Sequence, residues 1–212
     1  GISNVSYFRK GSVSLFLNSR KKDIFSFDTG PANMLIDLLA QKLSNGKKKR
    51  DENGAWAASG IIQYSLIEDW LTHSYLKKAP PKSCGREEFG EVFLDLIERQ
   101  LKKYSEADQM ATITEFTALS IAQAYRKFLP SLPPFAIFAG GGANNSHLMF
   151  RIRYNLPEVK IVSSEELGWP TSSIEGAAFG LLAACRMWNI SAHLPSTTGA
   201  SRSSLLGKII EL

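Results

Sequence analysis

The stretch IFSFDTGPANMLIDLLAQKL (Ile24–Leu43) changes character across the six residues Asp28–Asn33. Ile24–Phe27 is a β-rich run, whereas Met34, Leu35, Leu38, Leu39 and Leu43 follow the three-and-four spacing of a helix that starts next to a proline. A strand that passes into a helix through one short corner directs the chain toward a layered α/β architecture. The corner is also over-supplied with polar groups. Gly30 and Pro31 suffice for a turn, so Asp28, Thr29 and Asn33 point either to a ligand or to local backbone bonds of the Asx-turn kind.

Upstream, NVSYF and VSLFL are further β-rich runs, and spacings this short predict a three-stranded antiparallel meander. Downstream the pattern is helical. AWAASGIIQYSLIEDWLTHSYL reads as one helix, with Gly60 as a place where it can break. REEFGEVFLDLIERQLKKY offers Phe89, Val92, Phe93, Leu96 and Leu101 as its apolar side. ADQMATITEFTALSIAQAYRKFL offers Met110, Ile113, Thr117, Ile121, Ala124 and Phe128 on one face. Then Phe135–Ala139 reads as a strand buried on both faces, ending in three glycines and a helix. VKIVSS is a second strand, and SSIEGAAFGLLAACRMW is a helix whose small residues suit close packing on a sheet.

Composition removes several classes of function. No stretch nears the roughly 18 apolar residues of a membrane span, and no charged-then-apolar leader opens the sequence, so a cytoplasmic protein with no membrane partner is expected. The formal charge of +5 is concentrated in KLSNGKKKR (Lys42–Arg50), which lacks aromatic interleaving and reads as a solvated loop, not a nucleic-acid surface. Two cysteines in unlike contexts and three scattered histidines form neither a disulfide framework nor a metal constellation.

Two stretches carry chemistry. In FAGGGANN, Gly140, Gly141 and Gly142 let backbone approach a ligand without Cβ obstruction, and the helix that follows offers free N–H groups to a phosphate. Asn144 and Asn145 add donors and acceptors; the plain alternative is a tight strand–helix turn. In FDTGPAN, Asp28 can hold Mg2+ through water, while Thr29 and the Gly30 backbone can meet a phosphate oxygen. Glu175 stands in the first turn of a helix, where a carboxylate is favourable whatever its role. Lys82 and Arg86 in PPKSCGREEF either contact an anionic substrate or are simply solvated, and Cys84 lacks a nearby base that would make it a nucleophile.

GISNVSYF, FSFDTGPANMLID, DENGAWAASG, PPKSCGREEF, ATITEFTALSIA, FAGGGANNSHLM, EELGWPTSSIEGAAFGLLA and STTGASR occur in an order and spacing that resemble the anhydro-N-acetylmuramic acid kinase family. The resemblance implies one lobe of the actin-like ATPase (ribonuclease H-like) fold, with a mixed sheet, flanking helices and a helical insertion over roughly residues 55–130. Residues 1–212 are then expected to be a single C-terminal lobe whose N-terminal lobe, with the catalytic Asp and a Gly-Thr-Ser-Leu-Asp-Gly phosphate loop, lies outside this sequence. It further implies ATP and Mg2+ as cofactors, 1,6-anhydro-N-acetylmuramic acid as substrate, peptidoglycan recycling as the setting, and room for a homodimer. GGGANN would be the adenosine loop, Gly1 and Asn4 part of a phosphate loop, and Asp28–Asn33 the wall of the interlobe cleft. Four positions depart from the family pattern: Ser3 for Ala, Ala32 for Gly, Cys84 for Thr and Asn144 for His. Ala32 is damaging if its site needs positive φ, which keeps open a non-catalytic nucleotide- or amino-sugar-binding paralogue.

Overall fold

A computed structural model describes residues 1–8 and 24–210, and the expected strand VSLFL lies outside them. The first and third of the expected runs, β1 (Ile2–Phe8) and β2 (Ile24–Pro31), pair directly and antiparallel, with Val5 opposite Phe27 and Tyr7 opposite Phe25, whereas a three-stranded meander would have set them parallel and apart. The register slips between Ser3 and Asn4: Ser3 faces Gly30 and Asn4 faces Asp28, so Thr29 is the extra residue of a bulge. Such a bulge re-aims the side chains beside it. Here it brings Asp28 against Asn4 and turns Thr29 inward. Gly30 has φ +145°, a conformation that favours glycine, and an added Cβ would also press on the Leu76 side chain at 3.0 Å.

The helix α1 (Asn33–Leu43) follows at once and buries Met34, Leu35, Ile36, Leu39 and Ala40. Beyond it the single helix expected from Ala55 onward is broken into α2 (Ala55–Ala58), α3 (Tyr64–Trp70) and α4 (Ser74–Lys77). Packing explains the break. A Cβ on Gly60 would lie 2.0 Å from the Ala107 carbonyl oxygen, so backbone meets backbone there. The N–H groups freed by the break are taken up by the neighbouring helix, Ile61 N donating to Asp108 Oδ1 (2.6 Å) and Gln63 N to Thr112 Oγ1 (3.1 Å).

A second reset falls at Gly90, between α5 (Arg86–Phe89) and α6 (Glu91–Leu101). It shifts the helical phase, so α6 buries Phe93, Leu94, Ile97 and Leu101, while Val92 and Leu96, expected inside, are 74% and 72% exposed. The long helix α7 (Glu106–Phe128), capped by Ser105 Oγ accepting from Asp108 N, runs as expected. Every position from Gln109 to Ala118 is buried, because α7 is the central spine and not a surface helix with one apolar face. Phe93 stacks on Phe116 (5.8 Å between ring centres), and Trp70 meets the same ring edge-on. Glu115, with a fully buried side chain, accepts a bidentate pair from Arg151 (2.6 and 2.8 Å) and a third bond from Asn155 Nδ2 (2.9 Å).

The remaining elements are β3 (Phe135–Phe138), α8 (Ser146–Asn155), β4 (Lys160–Ser163), α9 (Ile174–Met187) and α10 (Pro195–Thr198), with β3 and β4 parallel. Among the described residues the strands form one antiparallel and one parallel pair, not a single joined mixed sheet. Nor is β3 buried on both faces: Phe135 and Ile137 are each more than half exposed. The helix α9 places no residue in the core, so its small residues do not serve the close sheet packing expected of them.

These contacts set opposite outcomes for two glycines. Gly60→Ala is expected to destabilise the fold by about 1–3 kcal/mol through overpacking. Gly180→Ala, inside α9 with nothing near an added Cβ, is expected to stabilise it by about 0.5–1 kcal/mol. Urea unfolding of both variants checks the pair.

Candidate functional site

The helix α1 has no side-chain cap, and its first N–H groups turn to the opening residue of β1. Ala32 N and Met34 N both donate to the Gly1 carbonyl, at 3.1 and 3.3 Å. The Asn33 side chain ties the same residues, its Oδ1 accepting from the Gly1 amine (2.9 Å) and its Nδ2 donating to Asp37 Oδ2 (2.6 Å). The glycine loop arrives from the far side. A Cβ at Gly141 would stand 3.9 Å from Asn33 Nδ2, and one at Gly142 3.7 Å from Asn33 Oδ1. Gly140, with φ +84°, has nothing within 4 Å of its Cβ position, so the loop is open there. Three stretches far apart in sequence thus converge on one amide.

Charge surrounds the opening. Asp37, Arg86 and Glu175 are the charged side chains around Gly1. Arg86 is exposed on the short α5, near enough to Gly1 for its charge to be felt there, whereas Lys82 is buried elsewhere. Lys82 is 6% exposed, donates to the Tyr75 carbonyl (3.2 Å), and sits over the rings of Phe128 (4.3 Å) and Tyr75 (4.6 Å). Lys82 is therefore neither solvated nor an anion contact, and burial lowers its pKa to about 8. Burial pushes the Cys84 thiol up to about 11, which leaves no activated thiolate.

Asp28 is a clasp. Its Oδ1 accepts from Asn4 Nδ2 (3.0 Å) and its Oδ2 from Cys84 N (2.9 Å). Its backbone N–H donates to the Lys82 carbonyl (3.2 Å), and its carbonyl accepts from the Tyr75 hydroxyl (2.8 Å). Thr29, expected against a phosphate oxygen, is buried and donates its hydroxyl to the Ser3 carbonyl (3.2 Å), which fastens the bulge. Asn145 caps α8 by accepting from Leu148 N (2.9 Å), and Asn144 Oδ1 accepts from Thr171 (2.9 Å). Both amides of GGGANN thus shape the loop.

The DENGA stretch plays a part that its residues alone did not reveal. Asp51 caps α2, accepting from Trp56 N and Ala57 N, both at 2.9 Å. Gly54 (φ +72°) lies against Asn145, where a Cβ would come within 2.3 Å of Oδ1. A buried Asp before a left-handed glycine was the available signal. Nearby, Lys42 pairs with Asp95 and Glu98, and Arg50 with Glu52, so much of the basic run is locally balanced. Among the described residues no three His, Cys, Asp or Glu side chains stand together, and no helix is long and apolar enough to cross a membrane.

Comparison with known proteins decides the family. The family model described as anhydro-N-acetylmuramic acid kinase matches residues 1–211. The chain belongs to the anhydro-N-acetylmuramic acid kinase family. A relative of that name from Synechococcus elongatus is 43% identical over 190 residues, covering 89% of this chain and 50% of the relative. Those from Trichormus variabilis and Synechocystis sp. are 40% and 41% identical, each covering 99% of this chain and 53% and 54% of the relative. The chain therefore spans about half the length of the curated relatives it matches. Against the family pattern, Ala32 has φ −113° and carries no left-handed strain. Cys84 meets Asp28 through its backbone N–H, so the clasp does not depend on which side chain stands there.

Two measurements follow. Asp28→Asn places an amide where two donors converge and is expected to destabilise the chain by about 1–3 kcal/mol in urea. Lys82, whose folded pKa lies below its ordinary 10.5, binds more proton when unfolded between about pH 8 and 10.5. Stability should therefore rise across that window, and Lys82→Met should flatten the rise in pH-resolved thermal unfolding.

Proposed function

We propose that this chain supplies the nucleotide-binding part of an ATP-dependent kinase. That kinase would open the anhydro ring of 1,6-anhydro-N-acetylmuramic acid with water and phosphorylate it to N-acetylmuramic acid 6-phosphate. The observation that carries the reading is the convergence of Gly1, Asn33 and Gly141–Gly142 at one opening, with Arg86 and Glu175 beside it. Open backbone at Gly140 and the N–H groups of the Gly141–Asn144 turn fit a nucleotide approached edge-on. Arg86 supplies the positive charge a polyphosphate needs. Asp28, already bonded to Asn4 and Cys84, would reach Mg2+ through water while phosphates complete the shell.

ATP supplies the phosphoryl group, and catalysis of such transfers rests on positioning and electrostatics. In this reading the chain is one lobe of an actin-like ATPase and holds the nucleotide, while the base that activates water lies in the other lobe. Phe179, Leu181, Met187 and Trp188 of α9 and the segment after it are exposed, which supports a further lobe covering that side. The rival reading, a non-catalytic binding paralogue, gains no left-handed strain from Ala32, whose φ is −113°.

A ligand-observed NMR titration with Mg-ATP tests this. Saturation transfer to the adenine protons is expected, and Gly141→Asp, which sets a carboxylate beside Asn33, should abolish it. Adenine contact that survives the substitution would move the nucleotide elsewhere. Kinase turnover by the 212-residue chain alone would place the catalytic base inside it.

A further inference from the structure

Asp37 lies one helical turn beyond Asn33, and nothing in the chemistry above uses it. It is half-buried, an expensive place for a carboxylate, and its Oδ2 accepts from Asn33 Nδ2 at 2.6 Å. An asparagine amide can be turned end for end with little change of shape, so what fixes its sense is the chemistry of its partners. An ionised carboxylate only accepts hydrogen bonds. Asp37 must therefore face the NH2 end of Asn33, and this sends Oδ1 to the donor on Gly1 (2.9 Å). The reversed amide would set oxygen against oxygen at Asp37 and NH2 against the Gly1 amine. One Nδ2 hydrogen is taken by Asp37; the amide carries a second, on the atom that lies 3.9 Å from a Cβ at Gly141.

We propose that Asp37 is a positioning residue, fixing the Asn33 amide so that its second Nδ2–H donates to a phosphate oxygen of a nucleotide held by the Gly141 loop. This rests on the nucleotide reading of the cleft and adds a residue and a sense of orientation to it. Protonation undoes the selection, because a neutral carboxyl both donates and accepts. Burial raises the Asp37 pKa above its ordinary 3.8; the Asn33 bond, the Gly1 amine and Arg50 oppose the rise, and Asp51 adds to it. The release is therefore set above the ordinary value of an aspartate, and the phosphate contact weakens as the pH falls through it.

The test follows the Asn33 side-chain amide by 15N–1H correlation NMR, assigned by its loss in Asn33→Ser, together with Mg-ATP titrations. In the parent chain the amide resonances should titrate with a midpoint above 3.8, and Mg-ATP affinity should fall through the same midpoint. Asp37→Asn both donates and accepts, as the protonated carboxyl does, so it should abolish the titration and bind Mg-ATP at neutral pH as weakly as the parent chain does below its midpoint. Asp37→Ala should move the amide resonances and weaken Mg-ATP about tenfold, the scale of one well-made contact. An amide that ignores pH, or a folded Asp37→Ala chain with unchanged affinity, overturns the proposal. If Asp37→Ala fails to fold, the parent titration and Asp37→Asn still decide it. An amide that follows Asp37 in a chain that binds no Mg-ATP overturns the nucleotide reading, and with it the phosphate contact.

Discussion

The buried ion pair between Glu115 and Arg151 sets the frame of this molecule. A carboxylate with no exposure, halfway along the central helix, is tolerable only if its oxygens are fully bonded, and Arg151 and Asn155 of α8 complete them. Breaking such a pair leaves an uncompensated charge in the core, so α8 cannot slide on α7 without large loss. Asn145, the cap of α8, directly follows the glycine turn. The place of the loop is thus inherited from an ion pair two helical turns away, and the open backbone at Gly140 is a consequence of rigid packing behind it.

A second fixed point is the Asp28 clasp. Asn4 from β1, Cys84 and Lys82 from the loop before α5, and Tyr75 from α4 all bond to one residue at the end of a strand. Three of these four contacts run through backbone atoms, and the one at Cys84 is its N–H. That explains how the motif can vary at position 84 while its geometry is kept: an amide N–H is supplied by any residue other than proline.

What could be read from residues alone follows from which signals are local. The strand-to-helix corner, α1, α7, and the strand–helix–strand order after residue 134 are set by period and by glycine, and they stand as expected. Gly60 and Gly90 broke helices that periodicity ran together, because the close backbone contacts that demand glycine there come from Ala107 and from the preceding turn. The phase error at Val92 and Leu96 follows directly from the second of these. At the corner, the residues alone drew attention to Asp28–Asn33 and the glycine loop but not to how individual side chains are partnered. Thr29, Asn145 and Lys82 are polar residues whose partners are supplied by folding, and no spacing rule shows that a lysine lies among three aromatic rings. Asp37 escaped notice because it sits within a helical period that otherwise reads as plain core packing.

The Gly1 carbonyl has a mechanical meaning. It lies beside the first residue of β1 and receives the N–H groups of Ala32 and Met34, so strand and helix start are tied through one atom. Any displacement of Gly1 must carry the whole of α1, and with it Leu35, Ile36 and Leu39 in the core, or else leave the helix uncapped. Movement of this corner is therefore confined to rotation as a rigid block, with any flexing displaced to segments outside it.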